Sequence, residues 1–97
     1  MTGTPATPEV IHDTASQRFV AVVDGLECEC AYRLRDGVAA LVHTEVPRAL
    51  EGRGIAAALV RAALAWARAE GLKVRPSCSY VAVYMRRHPE TQDLLGP

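Results

Sequence analysis

The residues with the clearest chemical potential form a short loop, Glu51-Gly52-Arg53-Gly54-Ile55-Ala56. Ser, Thr, Asp and Asn are absent from residues 48–55, so the helix predicted to follow begins without a capping side chain. Its first N–H groups then lack an acceptor, and the helix dipole places about half a positive charge there. These features predict a bound phosphate or pyrophosphate, and the alternative is a glycine-containing connection solvated by water.

A second candidate is Cys78, which follows Pro76 by two residues and precedes a predicted helix. Ligands collect beyond the carboxyl ends of parallel strands, and Val46 and Pro76 mark two such ends in this sequence. The thiolate is the nucleophilic form of cysteine, and a helix N-terminus lowers the thiol pKa from its usual value of about 8.5. Cys78 is therefore a candidate nucleophile, and the alternative is a small buried apolar side chain.

Three β-strands are predicted before the loop, over residues 18–23, 27–35 and 38–46. Asp24-Gly25 and Asp36-Gly37 are turn pairs that connect them as hairpins. The second strand alternates strictly, which predicts one buried and one solvated face. The third strand is apolar on both faces, so we expect it to be central and covered on both sides.

The periodicity changes to that of an amphipathic helix from residue 55 to residue 70, and Gly71 is placed to end it. Residues 72–75 predict a short parallel strand, and residues 79–87 a second helix with Ser77 or Ser79 as N-cap. The predicted order is β-β-β-α-β-α. This is an α+β fold whose mixed sheet has an antiparallel meander followed by a parallel crossover strand.

The composition narrows the function classes. Eleven basic residues balance eleven acidic ones among 97, so no net charge attracts nucleic acid or an anionic membrane. No apolar run approaches the roughly 20 residues of a membrane span. Three cysteines, an odd number, argue against a disulfide framework, and no ligand spacing indicates a metal site. We expect a cytoplasmic monomer or weak dimer with a flexible tail over residues 1–10 and one domain over 11–97.

The loop resembles the signature loop of the GNAT N-acetyltransferase superfamily, which binds the pyrophosphate of CoA. The family pattern is Gln or Arg, two residues, Gly, any residue, then Gly or Ala. Gly54 and Ala56 match it, and Glu51 stands where the family has Gln or Arg. The resemblance implies acetyl-CoA as co-substrate, bound by Val46, Gly52, Arg53, Gly54, Ile55, Ala56 and Ala57.

Three further motifs narrow the resemblance to the small YjdJ-like or NATD1-like members of that superfamily, over residues 19–95. The motifs are His43-Thr44-Glu45-Val46-Pro47, Pro76-Ser77-Cys78-Ser79-Tyr80-Val81 and Arg87-His88-Pro89-Glu90. This group keeps the CoA half of the larger fold and lacks the helices that usually shape the acceptor site. It implies acetyl transfer to an amine, on a small molecule or on a protein, such as a lysine side chain.

The resemblance also implies catalytic residues. Cys78 matches a cysteine proposed as the active-site residue of the small group. Tyr84 lies near the position of the tyrosine that, in GNAT enzymes, protonates the leaving CoA thiolate. An acceptor lysine of pKa about 10.4 must be deprotonated, at a cost of roughly 4 to 5 kcal/mol at pH 7, and Glu45 and His43 are the nearby bases. With regular alternation both share a face with Leu41. The alternatives are a Tyr84 that packs the last helix and a solvated Glu45 and His43.

Two other functions fit the same residues. Glu51 and the missing acceptor helices are compatible with a CoA- or acyl-CoA-binding module without turnover. Cys78 alone is compatible with a redox-sensing thiol protein.

Overall fold

The first half of the chain folds as an antiparallel meander. Residues 8–96 are described in the computed structural model of this protein. Asp24 and Asp36, each followed by a glycine, have positive φ, as tight hairpin turns require. The four strands are β1 Ile11–Asp13, β2 Arg18–Val23, β3 Leu26–Arg35 and β4 Val38–Glu45.

The second half adds the crossover and the helices. A 3-10 turn at Arg48–Leu50 leads to α1 Ile55–Ala69, β5 Lys73–Pro76, α2 Ser79–Arg87 and a 3-10 segment at Pro89–Leu94. The sheet order is β1-β2-β3-β4-β5, and the last pair is parallel. The predicted α+β fold, with a meander followed by a parallel crossover strand, is therefore confirmed.

One strand was not predicted. β1 has three residues and pairs with the first half of β2, so β2 is not the sheet edge there. A strand of this length is too short to show the alternation by which strands are recognised. The predicted flexible tail lies largely outside the described residues; of its residues 8–10, Val10 packs against the core.

The core occupies one face of the sheet, because α1 and α2 both pack there: α1 contacts β2, β3, β4 and β5, and α2 contacts β4 and β5. The prediction that the third strand, now β4, is covered on both sides was wrong. Ala39 and Leu41 are fully buried on the inner face, whereas Val42 is 37% exposed. Of the described residues on the outer face, none is fully buried. The apolar residues on the outer face of β4 are alanine and valine, whose side chains are small. They do not indicate a second layer of helices.

A β-bulge interrupts β4 at Val42. Tyr32 pairs with Leu41 and Ala31 pairs with His43, so Val42 is an extra residue without a partner on β3. The bulge moves His43 and Glu45 to the outer face and leaves Leu41 in the core. His43 and Glu45 therefore share a face as predicted, but the prediction that Leu41 lies on that face was wrong. The bulge also turns Thr44 inward, opposite Cys30.

The C-terminal segment covers the free edge of β5. Leu95 forms a bridge to Val74, and the Gly96 N–H donates to the Val74 carbonyl at 3.0 Å. Gly71 ends α1 with φ of 69°, the left-handed conformation expected of a helix-terminating glycine. None of the helices among residues 8–96 combines the length and apolarity needed to cross a membrane.

Candidate functional site

The glycine loop is held from below by a buried side chain and is open above. Leu50 is only 2% exposed and anchors the turn that precedes the loop. Gly52 and Gly54 have φ of 83° and 78°, and a Cβ built on either glycine would meet no atom within 4 Å. These positions therefore require glycine for their left-handed backbone, and the space beside them is free for a ligand.

Gly54 is the N-cap of α1, and no side chain caps the helix. The Ala58 N–H is the first to bond back, to the Gly54 carbonyl at 3.1 Å. The N–H groups of residues 55–57 thus have no carbonyl one turn earlier, as at any helix start. Together with the helix dipole they form a site for an anion.

These N–H groups open into a groove of about 480 Å³ between the loop and the end of β4. Six of the seven residues predicted to bind CoA line it: Val46, Gly52, Gly54, Ile55, Ala56 and Ala57. The remaining lining residues are Thr44, Glu45, Leu50, Glu51 and Tyr80. One continuous surface therefore joins the predicted anion site to the carboxyl end of the central strand.

Arg53, the seventh predicted residue, is turned away from the groove. Its guanidinium pairs with the Asp24 carboxylate in the β2–β3 turn at 2.9 Å. The positive charge of the loop is thus partly neutralised, while the exposed Glu51 lines the groove. Attraction for an anion here rests on the backbone N–H groups rather than on side-chain charge.

The groove continues along an open edge of β4. Pairing between β4 and β5 ends at Leu41 and Pro76, and the Cys78 N–H then donates to the Leu41 carbonyl at 2.9 Å. β4 itself runs on to Glu45. In the described part of the chain no strand pairs with this last stretch on the β5 side, so its backbone groups are accessible to an extended ligand.

Cys78 lies at the N-terminus of α2. It is the N-cap residue of that helix, in place of the predicted Ser77 or Ser79, because the chain leaves β5 in an extended conformation that lasts through residue 78. Its sulfur lies 3.6 Å from the Thr44 Oγ1. Partial burial tends to raise the pKa of Cys78, but the N–H groups of Val81 and Tyr80 and the Thr44 hydroxyl outweigh it, so the pKa is lowered.

Cys30 is the neighbour of Cys78 across Thr44. Its side chain is fully buried, and its sulfur lies 3.9 Å from the same hydroxyl. Burial raises the pKa of Cys30 to about 11, so it stays a neutral thiol at physiological pH. The Thr44 hydroxyl thus contacts one cysteine whose pKa is raised and one whose pKa is lowered.

His43 and Glu45 interact on the outer face of the sheet, and Glu45, at the end of β4, also lines the groove. The His43 Nε2 lies 3.3 Å from the Glu45 carboxylate and 3.9 Å from that of Glu29. Arg18 contacts the other oxygen of Glu29 at 2.7 Å. The ligand atoms of the three residues lie within 4.8 Å of one another, but the Arg18 charge beside them opposes a cation. The group is better suited to moving a proton than to holding a metal.

Two tyrosines of α2 lie in different surroundings. Tyr84 is buried, its ring is stacked on His88 at 3.9 Å, and it lines a separate groove of about 270 Å³ between α1 and α2. Tyr80 lines the groove of the loop. Burial is the main cause that raises the pKa of Tyr80, so its hydroxyl remains a proton donor at neutral pH.

A sequence model of the GCN5-related N-acetyl-transferase family matches residues 18–94. The chain belongs to this family. GNAT is the abbreviation of this family's name, so the predicted membership of the GNAT superfamily is confirmed.

Relatives of this GNAT chain include Protein NATD1 of Gallus gallus, which is 37% identical over 90 residues, 89% of this chain and 81% of the relative. Protein NATD1 of Homo sapiens is 46% identical over 54 residues, which are 56% of this chain and 48% of that protein. A solution structure of a GCN5-like protein from Staphylococcus aureus superposes with a TM-score of 0.73 at 26% identity, covering 95% of this chain and 91% of that one. The likeness to NATD1-like proteins is therefore confirmed as well.

Sequence reasoning missed three residues of this candidate site. Thr44 was missed because the bulge that turns it inward has no sequence signature, and Glu29 because its approach to His43 depends on strand register. Tyr80 directly follows the first residue of α2 and comes two residues after Cys78 in the same sequence motif. That proximity in sequence is the signal that could have found it.

We expect iodoacetamide to label Cys78 before the other two cysteines. At pH 8 the partly exposed, stabilised thiolate of Cys78 should react about tenfold or more faster than Cys28 and Cys30, which are buried and have raised pKa values. A time course of peptide mass spectrometry measures this. Equal labelling of Cys30 in the folded protein would contradict the assignment, and labelling in urea supplies the unfolded reference.

Proposed function

We propose that this chain is an acetyl-CoA-dependent N-acetyltransferase that acts on an amine, with Cys78 as the residue that receives the acetyl group. The observation that carries the proposal is the groove. It places an uncapped helix N-terminus, an open strand edge and Thr44, which contacts the Cys78 sulfur, along one surface. The free thiols of Cys28, Cys30 and Cys78 support a reducing compartment such as the cytoplasm.

The groove fits the parts of CoA in order. The N–H groups of residues 55–57 suit a pyrophosphate, and the open space beside Gly52 and Gly54 lets its oxygens approach the backbone. The free edge of β4 toward Val46 suits the two amides of the pantetheine arm, which can bond to it as an added strand does. When bound there, acetyl-CoA would supply an activated thioester.

Cys78 provides the nucleophile. Its lowered pKa increases the thiolate fraction at neutral pH, and the helix N-terminus remains beside the sulfur to stabilise negative charge. Tyr80, a hydroxyl on the wall of the same groove, can protonate a leaving thiolate. Tyr84, the residue that family resemblance indicates for this role, is stacked on His88 and lines the separate groove between α1 and α2.

The acceptor amine reaches the site from the outer face of the sheet in this scheme. His43 and Glu45 lie there, at the end of β4 where the strands separate, and Glu29 extends the group. The carboxylates attract an ammonium, and the imidazole can take its proton before attack. Since no helix among residues 8–96 covers this face, a bulky acceptor such as a lysine of a protein can approach.

Binding is tested by thermal unfolding with acetyl-CoA. At a hundredfold excess over Kd, the protein should gain about 2.7 kcal/mol of stability. Gly54→Val should abolish that gain, since a β-branched side chain at φ of 78° distorts the loop. Gly37→Val is the matched control. It has the same strain, with φ of 77° and no atom nearby, but lies in the β3–β4 turn and should keep the full gain. No gain at millimolar CoA would refute the proposal.

Glu51→Gln should tighten CoA binding. Removing a carboxylate that lines the groove relieves repulsion worth about 0.2 to 1 kcal/mol at an exposed site, or roughly 1.4- to fivefold in Kd. Isothermal titration at two salt concentrations checks this, because screening should shrink the difference at high salt. Glu70→Gln, at the far end of α1, serves as the control and should leave Kd unchanged.

Turnover is tested by intact mass spectrometry with isotopically labelled acetyl-CoA. The protein should gain one acetyl group, which Cys78→Ala should prevent and Cys28→Ala should not. Addition of an amine should remove the adduct and yield an acetylated amine. Absence of both the adduct and amine-dependent CoA release would leave a binding module and contradict the enzymatic part of the proposal.

A further inference from the structure

Thr44 occupies a position that a strand residue reaches only through the bulge at Val42. With regular alternation its side chain would point to the outer face with the solvent-exposed residues of β4. Instead it points inward and lies half-buried between the sulfurs of Cys30 and Cys78, at 3.9 Å and 3.6 Å. In the described part of the chain, these two sulfurs are the hydrogen-bond partners of its hydroxyl.

We propose that Thr44 is a positioning residue for Cys78, whose hydroxyl holds the sulfur at the groove and donates a hydrogen bond to it in the thiolate form. This role gains its catalytic meaning from the proposed function, since the sulfur it holds is the one that receives the acetyl group. Thr44 also lines the groove, so the hydroxyl lies where the thioester would meet the thiol.

The hydroxyl has two hydrogen-bonding states. In the thiol state, the Cys78 S–H donates to Oγ1, and the Thr44 O–H donates to the Cys30 sulfur. When Cys78 loses its proton, the Thr44 hydroxyl hydrogen can rotate about the Cβ–Oγ1 bond and donate to the thiolate instead. The second bond is stronger because its acceptor is charged, whereas a neutral Cys30 thiol is a weak acceptor.

The surroundings leave few other groups to perform this task. Among the described residues, Cys30 of β3 is the titratable side chain that interacts with Cys78, and no charged side chain is among the groups that stabilise the thiolate. Tyr80 of α2, Glu45 of β4 and Glu51 of the loop line the groove that Thr44 lines, and His43 of β4 lies on the outer face of the sheet. Besides the N–H groups at the start of α2 and the backbone N–H of Thr44 itself, the Thr44 hydroxyl is therefore the side-chain donor available to the sulfur.

The test is the pH dependence of Cys78 alkylation in the full chain without CoA. Thr44→Val replaces the hydroxyl by a methyl group of similar size, so the midpoint of the profile should move to higher pH. The rate at pH 7 should fall about tenfold, which corresponds to loss of one charge-assisted hydrogen bond. Thr44→Ser keeps the hydroxyl and should retain the wild-type profile.

Two results would overturn the proposal: a Thr44→Val profile that coincides with the wild type, or a Thr44→Ser profile that shifts as far as that of Thr44→Val. Circular dichroism melts show whether each variant is folded, and Thr44→Ser stays informative if Thr44→Val unfolds. Alkylation needs no CoA, so a shifted profile with no binding of acetyl-CoA would refute the proposed function alone. Normal binding with an unshifted profile would refute only the role of Thr44.

Discussion

The site depends on how β4 ends. Its pairing with β5 stops at Leu41, whose carbonyl accepts a hydrogen bond from the Cys78 N–H. On the side of β3, the bulge at Val42 adds one unpaired residue. The hydrogen bond fixes the start of α2 against the sheet and thereby places the Cys78 sulfur. The bulge reverses the faces of the residues that follow, so that Thr44 points to the sulfur and His43 and Glu45 point outward.

This arrangement separates two kinds of chemistry across one strand. The inner side has low dielectric and few charges, which favours hydrogen bonds from backbone and hydroxyl donors to a thiolate. The outer side is solvated and holds carboxylates and an imidazole, which favour a cationic amine and its deprotonation. In the proposed mechanism, residues 8–96 would thus offer a nucleophile and a base from the two sides of one strand.

The loop illustrates how backbone groups can replace side-chain charge. Arg53 is engaged by Asp24, and Glu51 lines the groove with the wrong sign for a phosphate. What remains is the uncapped start of α1, where several N–H groups and the helix dipole act together. Backbone donors are a property of the helix itself, so the site tolerates side chains that would weaken one built from lysines or arginines.

Much of the fold and half of the site followed from local patterns. Four signals depend only on neighbours in the chain and are therefore short-range. They are the alternation in β3, the turn pairs at Asp24 and Asp36, the helical period of α1 and the missing side-chain cap at Gly54. The bulge at Val42, the pairing of Arg53 with Asp24 and the contact of Thr44 with Cys78 were decided only by tertiary structure. They join residues distant in sequence, and their register is set by how the helices pack on the sheet, which no local pattern encodes.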